Sequence, residues 1–137
     1  MKKPKKRSDC PISSALDIVG DKWSLLIIRD MMFTGKNTYS EFLQSDEKIA
    51  TNILANRLSM LEEAGLITRE EHPDSKLKIF YRLTRPGIEL MPVLVEFILW
   101  SDKYLPVGAQ SKAFAKQLRK DKEGTIKQIS AALLHRM

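Results

Sequence analysis

The chain has 137 residues, 43% of them apolar, and a formal net charge of +6. That length suits one domain with an accessory element and a core to bury. No apolar run is long enough to span a membrane, the opening "MKKPKKRSDCPISSALD" lacks an apolar signal core, and lone Cys10 cannot form an internal disulfide. A membrane or exported protein is therefore not expected, and a reducing cytoplasm is.

The charge is uneven. Residues 1–7 hold five Lys/Arg and no acid, and residues 106–137 hold seven against two acids. Residues 8–105 hold eleven against fifteen, so the middle is acidic and net charge alone does not argue for nucleic acid. The pattern has to carry that argument.

Residues 1–9 read as a flexible basic arm. In "CPISSALDIVG", Pro11 suits a helix's first turn, with Ile12, Leu16 and Val19 on one side and Gly20 as the stop. "DKWSLLIIRDMMFTG" reads as a second helix, apolar almost all round and so central, ended by Gly35. "TYSEF" opens a short third helix on a Thr38/Glu41 capping box, with Phe42 and Leu43 inward.

After the polar turn "QSDEK", "ATNILANRLSMLEEAG" predicts a helix at about 49–64. Leu54, Leu58 and Leu61 form its buried stripe, with Asn52, Asn56, Ser59 and Glu63 opposite. Gly65 closes it. "LITREE" and "LKIFYRLT" read as two strands joined by the turn "HPDSK", with Ile79, Tyr81 and Leu83 inward and Phe80 outward. Thr84 caps a long helix over 85–104, in which Pro92 predicts a kink. "PVG" breaks the chain at 106–108, and two more helices are expected near 110–120 and 124–136, the last with Ile126, Ile129 and Leu133 in a stripe.

Helix–helix–helix–hairpin–helix is the winged helix-turn-helix order. "CPISSALDIVGDKWSLLIIRDM", "YSEF", "ILANRLSMLEEAGLITRE" and "YRLTRPGIELMPVLVEFILW" resemble the HxlR-type family of bacterial transcription regulators, relatives of the MarR group, over about residues 10–102. The resemblance implies a mainly α fold with a small β-hairpin, dimerising through the first and the long C-terminal helices and binding double-stranded DNA. It implies a recognition helix at 49–64, a wing at 66–84, and contacts from Thr38 and Ser40 on the preceding helix. Two positions depart from the family's pattern. Ala50 cannot serve as a capping side chain, and Asn37 and Thr38 stand where the family often shows arginines.

On the recognition helix, Thr51, Asn52, Asn56 and Ser59 make a plausible reading face, since Asn pairs bidentately with adenine and Thr touches a thymine methyl. A merely solvated face is the alternative, although Glu and Lys would favour a helix more than these residues do. Arg57, at the border, either reaches phosphate or packs its stem on the core. Lys76 and Lys78 offer phosphate contacts from the wing, beside Glu70, Glu71 and Asp74, which would repel DNA unless turned away. Lys5, Lys6 and Arg7 would add sequence-independent affinity.

Cys10 should sit at a helix N-cap near Lys6 and Arg7, where the helix dipole and cations favour a thiolate. Some family members sense oxidants through a cysteine near this position; an inert residue at the dimer seam is the competing reading. His72 and His135 lack partners at metal-ligand spacing and read as surface residues. Trp23, Phe97, Trp100 and Tyr104 suit core and dimer packing better than a ligand cavity. No nucleotide or hydrolase motif is present, so no enzyme, metal or cofactor is expected.

The domains expected are an arm at 1–9, a winged helix-turn-helix domain with dimerisation helices at 10–105, and a helical extension at 106–137. The function expected is a homodimeric, cytoplasmic, sequence-specific DNA-binding repressor at an inverted repeat, responsive to an oxidant, electrophile or small molecule. The alternative is a winged helix used for protein–protein contact without DNA.

Overall fold

Local chemistry sets most of the element boundaries. A computed structural model describes residues 5–72 and 75–136, without the side chains of 72–77. The expected turn at Pro73 and Asp74, and the side chains of His72 and Lys76, lie outside the described residues. The chain forms two compact units, Met1–Gly87 and Ile88–Met137.

In the first unit, α1 (Pro11–Val19) carries Pro at its first position, where no backbone donor is needed, and ends at Gly20. The second helix, α2 (Ser24–Phe33), begins three residues later than the sequence pattern suggested. The Asp21 carboxylate takes the N–H groups of Trp23 and Ser24, holding the chain in a turn first. Ile27, Ile28, Met31 and Met32 of α2 are buried, whereas Trp23 precedes the helix and is only partly covered.

The capping box forms as expected at α3 (Tyr39–Leu43). Thr38 Oγ1 accepts from the Glu41 N–H, and Glu41 Oε1 accepts from the Thr38 N–H. The turn that follows carries Lys48 in the left-handed region, at φ 56°. Then comes α4 (Thr51–Glu63), burying Leu54, Leu58 and Leu61. Gly65, at φ 81°, ends it in a Schellman motif: the Gly65 N–H reaches Glu62 O and the Leu66 N–H reaches Leu61 O, both at 3.0 Å.

Strands β1 (Ile67–His72) and β2 (Ser75–Leu83) pair antiparallel with Ile67 opposite Leu83 and Arg69 opposite Tyr81. Ile67, Tyr81 and Leu83 are buried, while Ile79 and Phe80 are partly covered. The hairpin's base is fastened to the end of α4. Thr84 Oγ1 donates to Gly65 O at 2.6 Å, and the Thr84 N–H donates to Leu66 O at 3.0 Å. Thr84 Oγ1 also caps the next turn by accepting from the Gly87 N–H.

The long helix expected over 85–104 is divided into α5 (Arg85–Ile88) and α6 (Met91–Tyr104). Pro92 therefore ends one helix and starts another, where a kink was expected. Its ring would collide with the carbonyl of Ile88, where α5 stops, and its missing donor costs nothing in the first turn of α6.

In the second unit, α7 (Ala109–Lys120) and α8 (Lys122–His135) pack against α6 of their own chain. Met91, Leu94, Val95, Ala115, Leu118 and Leu133 are buried there. Arg119 pairs with Asp102 at 2.6 Å and Lys122 with Glu96 at 2.7 Å. The other side of α6 is left bare. Phe97, Trp100 and Tyr104 are exposed, at 56%, 56% and 61%, and the Trp100 and Tyr104 rings lie 5.4 Å apart. These aromatics are not core residues of the chain. No helix among the described residues is long and apolar enough to cross a membrane.

Candidate nucleic-acid interface

The leucine stripe of α4 fixes which side of the helix faces out. Thr51, Asn52, Asn56 and Ser59 are all exposed, so four of the five residues expected to read DNA share one open surface. Ala50, in extended conformation at the N-cap, supplies no side-chain bond, which leaves the first N–H groups of α4 without a capping side chain. Tyr39 Oη donates to Thr51 O at 2.8 Å and so ties α3 to the first turn of this helix.

Arg57 behaves differently. It is partly buried, its Nε lies 3.7 Å from Asp21 Oδ2, and one guanidinium N–H reaches Met60 Sδ at 3.3 Å. Thr38 is also occupied, since its hydroxyl donates to Glu41 Oε1 at 2.9 Å while accepting the cap bond. Ser40 is exposed. Hydrogen bonds from the Asn37 N–H and from Thr38 hold the Glu41 carboxyl below its ordinary range, outweighing the small cost of burial.

On the wing, Lys78 is exposed, and Arg82 Nε reaches Glu70 Oε2 at 3.0 Å, neutralising one of the nearby acids. The Tyr81 N–H donates to Asn37 O at 2.8 Å, joining the hairpin to the start of α3. Lys5 is exposed, while Lys6 pairs with Asp9 at 2.6 Å and Arg7 with Asp17 at 2.5 Å. Two of the three arm cations expected to serve DNA or the thiol thus already have carboxylate partners. Cys10 is exposed at the N-cap of α1, its thiol making no cap bond.

A polar cluster that the sequence reading did not single out braces the turn between α3 and α4. Asp30, nearly fully buried, accepts from Arg29 Nε and Nη2 at 3.0 and 2.8 Å and from the Ser45 hydroxyl. Arg29 also grips both oxygens of Glu47 at 2.7 and 2.8 Å, and Lys36 Nζ donates to Ser45 Oγ. The Glu47 bonds raise the Arg29 guanidinium further above its usual range, and Arg29 in turn lowers Glu47. The available signal was an Arg-Asp pair inside an otherwise apolar helix, where a charge needs a partner.

A braced helix-turn-helix, an exposed amide-bearing second helix and a hairpin locked to that helix's end define a winged helix-turn-helix, a DNA-binding class. Residues 18–109 match the HxlR-like helix-turn-helix family, and the chain belongs to it. It is 35% identical to the HTH-type transcriptional regulator sll1512 of Synechocystis sp. over 86 residues, covering 63% of each chain. It is likewise 35% identical to the regulator YdeP of Bacillus subtilis over 95 residues, 69% of this chain and 73% of that one. The solved reduced form of the regulator YodB from B. subtilis superposes with a TM-score of 0.59 at 30% identity, covering 74% of this chain and 99% of that one. YodB has also been solved with quinone bound. The chain is a transcriptional regulator of the HxlR type, related to MarR proteins.

Proposed function

We propose that two copies of this chain bind an inverted-repeat operator and repress transcription there. The exposed Thr51, Asn52, Asn56 and Ser59 on α4, directly opposite a fully buried leucine stripe, carry the reading. Asn52 and Asn56 read bases in the major groove, Thr51 and Ser59 bond bases or phosphate, and Ser40, Lys76, Lys78 and Lys5 add backbone contacts. The two-fold pairing uses the bare sides of α1, with Ile12 and Leu16 exposed, and of α6, with Phe97, Trp100 and Tyr104. Two recognition helices about 34 Å apart then fit half-sites one helical turn apart.

Selection from a random duplex pool, followed by affinity measurement over a salt series, tests this. The expected result is an inverted repeat bound by the native chain with a steep loss of affinity as salt rises. Asn56→Ala should lower operator affinity while leaving random duplex nearly unaffected. Failure to enrich any duplex would favour a winged helix used for protein contact, a reading to which the acidic stretch 8–105 lends weight.

The effector is proposed to be an oxidant or electrophile acting at Cys10. Its exposed thiol on the first helix and the quinone-bound form of the relative YodB motivate this reading. Band shifts with and without a quinone, on native protein and Cys10→Ala, are the test; equal responses remove the thiol from the mechanism.

A further inference from the structure

The part of Arg57 in reading DNA follows from where its guanidinium is held. Its Nε is buried without a hydrogen-bond partner and faces Asp21 Oδ2 at 3.7 Å, too long for a hydrogen bond but close for two charges. Only 26% of the Arg57 side chain and 22% of Asp21 is exposed, so salt screens the pair poorly. Asp21 is itself pinned. Its Oδ2 accepts from the Trp23 and Ser24 N–H groups at 3.0 and 2.9 Å, and its Oδ1 accepts from Ser24 Oγ at 2.5 Å. Burial pushes the Asp21 carboxyl up, but these bonds and the Arg57 charge outweigh it and hold it below its ordinary range. Moving Arg57 out to a phosphate would strip that carboxylate of its cation.

On α4 each residue turns about 100° from the last, which places Arg57 between Asn56 on the open side and Leu58 in the core. The leucine stripe holds the helix down but tolerates some roll about its axis. A tether on the flank limits that roll. With side-chain tips some 6–7 Å from the axis, a roll of about 10° displaces an amide by roughly 1 Å, beyond the tolerance of a bidentate base contact.

We propose that Arg57 is a positioning residue: paired with Asp21 in the turn between α1 and α2, it fixes the roll of α4 and hence the aim of Asn52 and Asn56, and it makes no phosphate contact. This assignment rests on the DNA-binding function proposed above. It also gives Asp21, which lies on no reading surface, a part in operator choice.

The test measures affinity for a selected operator and for random duplex across a salt series, using the full-length chain. Arg57→Gln and Asp21→Asn should each weaken operator binding about tenfold, with random-duplex affinity and the salt slope unchanged. The double variant should be no worse than the weaker single one. Arg57→Lys should recover most of the loss, because the pair acts through charge at 3.7 Å.

Melting midpoints separate positioning from folding: destabilised variants that keep the native operator-to-random ratio would overturn the proposal. So would a salt slope reduced by about 0.9 in Arg57→Gln with Asp21→Asn unaffected, the mark of a phosphate contact, although DNA binding itself would then stand. A native chain that binds no duplex, measured before any variant, overturns the DNA-binding function and this assignment together.

Discussion

Trp100 tests the proposed two-fold pairing most directly. It is 56% exposed on the side of α6 that α7 and α8 leave uncovered. A Trp presents up to about 250 Å² of surface, so roughly 140 Å² of this residue is open to water. At about 25 cal/mol per Å², covering all of it contributes ~3.5 kcal/mol, and a two-fold pair doubles that. If only a third of the doubled figure is realised, the remaining ~2 kcal/mol still amounts to roughly a thirtyfold change in the dimer constant. Trp100→Ala should therefore shift the monomer–dimer equilibrium by at least that factor in sedimentation velocity across a concentration series. The melting transition should remain cooperative, because the side chain is not part of the chain's own core. An unchanged dimer constant in Trp100→Ala would remove α6 from the interface and refute the reasoning.

Three further outcomes follow from local geometry. Ala50→Ser should stabilise the chain by about 1 kcal/mol, since Ala50 already has N-cap backbone angles and lacks only the oxygen; thermal melts would register it, and an unchanged midpoint would mean the cap bond does not form. The Glu41 carboxyl is held below its ordinary value of 4.5, so its contribution is present above that pH and is lost as pH falls through the lower folded value. Acid denaturation of Glu41→Gln should accordingly show a shallower dependence there, and an identical profile would contradict the assignment. Gly87→Ala should cost about 2 kcal/mol or more in denaturant titration, because a Cβ would lie 2.2 Å from the backbone oxygen of Leu66, which cannot move aside like a side chain.

What the sequence disclosed depends on the reach of each interaction. The Thr38/Glu41 box and the Gly65 stop are satisfied within a few residues, so their spacing alone specified them. Pro92 was legible as a disruption, but whether it bends or divides a helix depends on what the chain does at Ile88. The exposure of Thr51, Asn52, Asn56 and Ser59 followed from helical period, because the leucines must face the core. For Arg57 the sequence left phosphate contact and packing on the core both open, since its partner Asp21 lies in another element, thirty-six positions earlier. The same holds for Arg7 with Asp17 and for Arg29 with Glu47, pairs that join separate parts of the chain and that no local spacing announces. The aromatics of α6 were half legible: core and dimer packing were read together, and Phe97, Trp100 and Tyr104 lie outside the chain's own core.

Thr84 gives the molecule a property that matters for altering its target. One hydroxyl and one amide weld the hairpin's root to the terminus of α4, so in the proposed complex the two would meet a duplex as a single tool of fixed span. If Asn52 and Asn56 read bases as proposed, changing only these exposed residues would alter the letters recognised and leave that span as it was. Retargeting would then be a matter of a few outward side chains, with no need to rebuild the handle.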